Sequence, residues 1–261
     1  MSSITGLVLT YNGERLLARC LDSLGFCERI LVIDSFSTDR TEVIAREAGC
    51  IFVQHKWEGP AAQFAYAFEL LDEMGAEWVF SLDQDELCSP ELRDSVLRAT
   101  AEADLQQKNL AGFWISRRSW YYDRFLMHSG WYPDRLLRVF RNGRMNASVS
   151  GAHYSFHPLG SAQRIDGDIL HYPYSSFREH LDKINSYAQQ GADDLAARGK
   201  HGGILAGLAH GFGRFLRIYV LKKGFLDGRA GFINAAHGAF YAFLKYVRVD
   251  EGNWGSPYNH G

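Results

Sequence analysis

The first hundred residues alternate short apolar runs with amphipathic ones four times, and that rhythm constrains the fold more than any other feature. Ile4 to Thr10, Ile30 to Ile33, Cys50 to Gln54 and Trp78 to Leu82 read as strands apolar on both faces. Strands of that kind belong to a parallel sheet covered on both sides by helices. Between them, Glu14–Leu24, Asp39–Ala48 and Pro60–Met74 carry apolar residues at helical spacing, and Ser89-Pro90-Glu91 opens a fourth helix. Polar residues gather just after the strands: Thr10 and Asn12, then Asp34, then Asp83 and Asp85. Ligands of open parallel sheets bind beyond the carboxyl ends of strands. The expected fold class is therefore α/β, with a mixed, mainly parallel sheet flanked by helices.

Farther on the pattern changes. Gly112 to Tyr122, Leu136 to Arg141 and Ile169 to Tyr174 are aromatic and β-rich, and from Ser176 the pattern is helical over 177–197, 204–223 and 228–247. The expected organisation is one α/β domain over 1–175, split into halves 1–100 and 101–175, with a helical extension over 176–261. That extension is basic: Arg198 to Arg248 holds nine Lys or Arg against Asp227 alone. Its basic residues are interspersed with apolar runs rather than set along a polar stripe, so nucleic acid is not an expected partner.

Cys20, Cys27, Cys50 and Cys88 form no Cys-x-x-Cys pair, which disfavours a disulfide framework or a zinc cluster. The N-terminus lacks the features of a signal peptide, and no run of about 20 uninterrupted apolar residues occurs, so a cytoplasmic protein is expected.

The strongest chemical signal is Leu82-Asp83-Gln84-Asp85. Two carboxylates on a tight turn at a sheet edge suit Mg²⁺ or Mn²⁺, which can bridge a diphosphate. Acids at a strand end are also commonly caps or solvated loop residues. Asp34 closes its strand where a carboxylate can accept hydrogen bonds from a base edge or a ribose, whereas Asp39 reads as a helix cap. The chain has no Gly-x-Gly-x-x-Gly after the first strand, no Walker-type loop and no Gly-x-Ser-x-Gly elbow. These absences disfavour a dehydrogenase, a P-loop enzyme and an α/β hydrolase.

Val8-Leu9-Thr10-Tyr11-Asn12, Val32-Ile33-Asp34-Ser35 through Thr41, and Leu82-Asp83-Gln84-Asp85 closely resemble the three N-terminal motifs of family 2 glycosyltransferases. The stretches Gly130 to Arg141, Leu170 to Tyr174 and Leu221 to Gly231 resemble the branch that builds bacterial lipopolysaccharide core. The resemblance implies a GT-A fold and transfer of a hexose such as glucose, with inversion, from a nucleotide-diphospho-sugar such as a UDP-sugar. It implies a glycolipid or oligosaccharide acceptor of the lipopolysaccharide core. Thr10, Asn12, Glu14, Asp34 and Asp83 would line the nucleotide-sugar pocket, and Asp85 with His171 would hold Mg²⁺ or Mn²⁺.

An inverting transfer needs a base beside the acceptor hydroxyl. Relatives often carry His-Glu after the Arg-x-Phe-Arg segment; here the dipeptide is His153-Tyr154, and a tyrosine is a poor base at neutral pH. Asp134 is the first candidate and His153 the second, with a salt bridge from Asp134 to Arg135 or Arg138 as the alternative. Trp114, Trp120, Tyr121, Tyr122 and Trp131 are candidates to stack on acceptor sugars, and Arg117, Arg118, Arg135 and Arg138 to hold its acidic groups. The apolar segment Gly231 to Leu244, with basic flanks, is expected either to lie on an anionic membrane surface at the inner face of the cytoplasmic membrane or to pack on the catalytic domain. Two other readings stay open: a sister transferase for exopolysaccharide or another lipid-linked glycan, and a non-catalytic nucleotide-sugar binding protein.

Overall fold

A computed structural model describes residues 2–106, 109–150 and 153–251. It forms two compact units. The first comprises the chain up to Arg118 together with Pro133–Tyr172, and the second comprises Ser119–Tyr132 and the chain from Pro173 on.

The first unit is built on strands β1 (Ile4–Thr10), β2 (Arg29–Asp34), β3 (Ile51–Gln54) and β4 (Trp78–Asp83). They lie in the order β3-β2-β1-β4, all parallel. Beyond β4 the sheet turns antiparallel, through β8 (Asp134–Arg141), β6 (Leu110–Tyr121), β11 (Ser161–His171) and β5 (Glu86–Cys88). Alternate residues of each parallel strand enter two separate cores. Ile4, Val8, Val32, Trp78 and Phe80 pack with α1 (Leu17–Ser23) and α4 (Pro90–Gln106). Leu7, Leu31, Ile33 and Val79 pack with Phe64, Ala67 and Leu71 of α3 (Pro60–Glu73). Both faces are thus covered, as the unbroken apolar strands require. The result is the expected α/β fold with a mixed sheet and a helical C-terminal region.

The structure differs from the sequence reading at three places, two of them with clear causes. Helix α1 begins at Leu17 rather than Glu14, because Asn12 takes a left-handed φ of 47° and Leu16 and Leu17 donate their N–H groups back to Gly13 O. The hairpin β9 (Met145–Ser150) and β10 (His153–Pro158) and most of β11 were not anticipated. Much of β11 is exposed along its first half, so it lacks the apolar run that marks a buried strand.

In the second unit, β7 (Arg124–Phe125) pairs with Trp120 and Tyr121 at the end of β6. Three helices follow: α5 (Phe177–Ala197), α6 (Ile204–Leu216) and α7 (Gly228–Val249). Helix α6 runs on into a π-helical segment, Arg217–Leu221. Together they make one stretch, Ile204–Leu221, that is long and apolar enough to cross a membrane by length and composition. Residues Ser119–Tyr132, read from sequence with the 101–175 half, belong to this unit for a physical reason. The buried carboxylate of Asp227 accepts hydrogen bonds from the backbone N–H of Met127 and His128 and from Ser129 Oγ, at 2.8–3.2 Å. The Leu221 to Gly231 motif thereby holds the segment that leads into Gly130 and Trp131.

Candidate active site at the carboxyl edge of the sheet

The register of the parallel strands brings their polar ends together. Thr10 stands opposite Asp34, Leu9 opposite Asp83, and Asp34 opposite Gln54. Beyond this edge opens a cavity of about 720 Å³, whose walls include Thr10, Tyr11, Ser35, Phe36, Asp83, Gln84 and Tyr154. That volume suits a nucleotide-sized ligand. Tyr11, Phe36 and Trp57 line it while remaining 60%, 54% and 54% exposed, so they offer aromatic faces to a ligand. Phe36 does so from a left-handed φ of 59°. Sequence reasoning assigned no role to these aromatics or to Lys56 beside them, although their place just after strand ends was the signal.

Of the five residues expected on the nucleotide pocket, Thr10 and Asp83 line the cavity. Asn12, Glu14 and Asp34 instead build its loops. Asp34 is fully buried and accepts from Thr10 Oγ1 (3.1 Å), Ser37 N (2.8 Å), Ser37 Oγ and Gln54 Nε2 (3.3 Å). Its acceptor capacity is taken up within the protein. Asn12 Oδ1 accepts from Thr38 N (2.9 Å) while Asn12 N donates to Ser37 Oγ (2.8 Å). Glu14 Oε2 accepts from Arg40 N (3.2 Å) while Glu14 N donates to Asp39 Oδ2 (3.0 Å). The loops after β1 and β2 are clasped by these reciprocal bonds. Asp39 also accepts from Thr41 N (3.0 Å), but the N-cap of α2 (Thr41–Glu47) is Arg40, so Asp39 sits one residue ahead of the cap position read from sequence.

The acid loop is held from both sides. Gln84 pairs with the Tyr11 backbone in both directions, Oε1 accepting from N (2.9 Å) and Nε2 donating to O (3.1 Å). Asp83 accepts from Arg138 Nη2 (2.8 Å) and from the Tyr154 hydroxyl (2.5 Å), which also contacts Arg138 Nη1. Glu86, fully buried, accepts from Arg138 Nη2 (3.2 Å), Arg117 Nη1 (2.8 Å) and Asp83 N (2.9 Å). Arg117 also donates through Nε and Nη2 to Asp134 Oδ2 (3.0 and 2.7 Å). Two expectations are corrected here. The partner of Asp134 is Arg117, across the β6–β8 register, rather than Arg135 or Arg138. Arg117, Arg118 and Arg138 are committed to Glu86, Asp168 and Asp83 respectively, so they are scaffold before they are acceptor contacts.

Burial works against the charge of Asp83, but the Arg138 guanidinium and the Arg138 and Tyr154 hydrogen bonds outweigh it and hold the carboxyl below its usual range. Burial pushes the Tyr154 phenol well up, so it keeps its proton and serves as the donor to Asp83. Asp85 behaves differently. Burial, with the charges of Asp83 and Glu86, pushes its carboxyl up to about 7, against the weaker pull of Arg15. Pairing of β11 with β5 sets His171 opposite Glu86, which brings His171 Nε2 to 3.8 Å from Asp85 Oδ2. The side chain of His153 lies outside the described residues; its backbone begins β10.

Asp85 and His171 fit a divalent cation. Among the described residues no three His, Cys, Asp or Glu side chains converge into a cage. Mg²⁺ is ordinarily held by one or two carboxylates together with substrate phosphates and water. One carboxylate short of positive charge, with an imidazole beside it, matches an ion that arrives with a diphosphate.

Comparison with known proteins places the chain in a family. The sequence profile of the family described as Glycosyl transferase family 2 matches residues 7–157. The chain is 28% identical to the lipopolysaccharide core biosynthesis glycosyltransferase LpsC of Rhizobium meliloti (strain 1021), over 94% of this chain and 91% of that protein. It is 24% identical to the uncharacterized glycosyltransferase RT0209 of Rickettsia typhi, over 96% of this chain and 88% of that one. Among solved structures it is similar to S. aureus TarS, with 19% identity, a TM-score of 0.39, and 54% of this chain and 28% of that chain covered.

Proposed function

The chain belongs to glycosyl transferase family 2, and on that premise we propose that it moves a hexose such as glucose from a UDP-sugar to a lipopolysaccharide core acceptor, with inversion at the anomeric carbon. The observation that carries this reading is the cavity itself, with exposed aromatics and Asp83 of the acid loop on its walls. Tyr11 or Phe36 stacks on the base, and Thr10 and Asp83 take the ribose. Similarity to LpsC along 94% of the chain favours the acceptor class. A glycolipid acceptor assigns the work to the inner face of the cytoplasmic membrane.

The reaction forms a bond from the acceptor hydroxyl oxygen to the sugar's C1 and breaks the bond from C1 to the diphosphate. The nucleoside diphosphate leaves with the bonding pair, and a base takes the hydroxyl proton. Mg²⁺ or Mn²⁺, held by Asp85 with His171, would offset charge on the departing diphosphate. Arg138 and Tyr154 fix Asp83 so that it meets the donor without rearrangement. Asp134 is the proposed base: its side chain is 40% exposed, and the contact with Arg117 orients it. His153 is the second candidate.

The test uses the purified chain, UDP-glucose, Mg²⁺ or Mn²⁺ and rough lipopolysaccharide. Metal-dependent UDP release that rises with acceptor, giving a product of inverted anomeric configuration, is expected. Asp134→Asn lowers the rate by about 10²–10⁴-fold if it is the base, and a comparable loss in His153→Ala alone reassigns the role. Donor binding without UDP release across several acceptors overturns the transferase reading, and turnover only with another glycan moves the protein to a sister pathway.

A further inference from the structure

We propose that the second unit docks on an anionic bilayer through the outer face of α6 and the π-helical turn that follows it. Helix α6 is built inside out. A surface helix of a globular protein turns its large apolar side chains inward. Here the buried residues of α6 are Gly207 and Gly211. A Cβ on Gly207 would lie 3.0 Å from the Phe243 carbonyl oxygen, and one on Gly211 would lie 3.0 Å from that of Ala239. Glycines four apart thus let α6 and α7 approach backbone to backbone, as helices do in lipid. The opposite face carries Leu205, Leu208, Phe212 and Leu216, which are 83%, 56%, 66% and 40% exposed. Their spacing of three and four makes one ridge. Val220 and Leu221, 50% and 75% exposed, continue it through the π-helical segment. A continuous apolar ridge of this length marks an interaction surface.

Charge decides the occupant. From Ile204 to Leu226 the chain holds Arg214, Arg217, Lys222 and Lys223, all exposed, and no Asp or Glu. The next acid, Asp227, is buried against residues 127–129. In a symmetric dimer the patch would meet its own copy, setting these cations against each other. An anionic leaflet answers both features, with acyl chains for the leucines and Phe212 and headgroups for the basic side chains. A span fits worse, because Arg214 and Arg217 interrupt the apolar run and would lie in hydrocarbon. With α6 in the interface plane, Arg217, Lys222 and Lys223 are left to reach the headgroups, while the Arg214 guanidinium lies over the Tyr241 ring of α7, 4.8 Å from its centroid. The inference revises the expected location: Gly231 to Leu244, in α7, has Gly231, Asn234, Ala235 and Ala242 buried, and the ridge lies on α6.

The proposal deepens the membrane-face reading of the enzyme, but its test involves neither donor nor acceptor. The full chain is co-sedimented with vesicles of phosphatidylcholine alone and of phosphatidylcholine with phosphatidylglycerol, free of glycolipid, at low and high KCl. Binding to the anionic vesicles at low salt is expected, at least about tenfold tighter than to neutral ones. Leu208→Gln combined with Phe212→Gln should weaken it about tenfold or more. Lys223→Asn should weaken it about fivefold; asparagine suits the left-handed backbone of that residue, φ 54°. Neither variant should change UDP-glucose hydrolysis in the absence of vesicles. Equal sedimentation with and without anionic vesicles overturns the proposal. So does a dimer in lipid-free solution that Phe212→Gln abolishes, or retention in cell membranes after alkaline extraction, which marks a span. If vesicle binding holds but no sugar is transferred, the transfer reading fails and the docking surface stands.

Discussion

Glu86 and Arg138 of the first unit lie 0% and 3% exposed as a charged pair, while Leu205 and Phe212 of the second stand 83% and 66% exposed. Buried charge and exposed apolar surface are the two departures from ordinary burial that carry information, and each unit shows one of them. In the first unit the departure is nearly compensated: Asp83, Glu86 and Asp134 each have a guanidinium within 3 Å, supplied by Arg138 and Arg117. Asp34, as buried as Glu86, is held by neutral donors instead, and Asp85 differs from all of these, its Oδ2 lying 3.8 Å from His171 Nε2. In the second unit the departure is uncompensated along a whole helix face. The contrast teaches that a small ligand site leaves one group unsatisfied within a rigid frame, whereas a surface site leaves a long face unsatisfied.

The sharpest way to break the first half of the contrast is Arg138→Met. It strips Asp83 and Glu86 of a shared buried partner, and removing one member of such a pair costs about 3–5 kcal/mol. Urea unfolding should show that loss, and adding Glu86→Gln should recover part of it. A loss below about 1 kcal/mol would mean that the network is not what holds the acid loop.

Asp85→Asn should do the reverse. Transfer should fall about 10²–10³-fold, the scale of losing one transition-state charge contact, while the fold gains stability at neutral and higher pH. The sign follows from the carboxyl, which is near 7 in the folded protein and about 3.9 in an unfolded chain. The folded state holds that proton more tightly, so the stability this group contributes is complete below pH about 4 and is lost as pH rises through about 7. The asparagine variant lacks that decline. For the same reason, metal binding to the wild type should strengthen as pH rises through about 7, because the ion displaces the proton. Melting curves and Mn²⁺ titrations across that range check both statements.

Much of the first unit was legible in its sequence, because apolar runs fix where strands end and polar residues at those ends fix the site's edge. Thr10 and Asp83, which line the cavity, were readable in that way. Arg138 and Tyr154 were not, as partners of Asp83: they stand 55 and 71 residues away, and their approach depends on β8 pairing with β4 and on an unanticipated hairpin. His171 came only through resemblance, since its place beside Asp85 is set by the β5–β11 register. In the second unit the sequence showed apolar helices but not which face turns outward. Gly207 and Gly211, four residues apart, were the unread signal.

The glycine contacts offer a smaller test. A Cβ on Gly231 would lie 1.9 Å from the Gly224 carbonyl oxygen, a backbone atom that cannot swing away. Gly231→Ala should therefore cost about 1–3 kcal/mol by overpacking the turn into α7, read by thermal melting.

The smallest effect sharpens the comparison most. Phe212 is the bulkiest residue of the α6 ridge and is 66% exposed. In a globular helix, replacing a phenylalanine by glutamine removes core packing. On this helix the packing is done by glycine, so Phe212→Gln should change stability by no more than about 0.5 kcal/mol and should improve solubility in lipid-free buffer. A measured loss of about 2 kcal/mol or more would show that Phe212 belongs to the folded core, and the two units would then differ in degree rather than in kind. A near-zero change, with the loss appearing only when vesicles are added, separates the free energy of folding from that of docking in a single side chain.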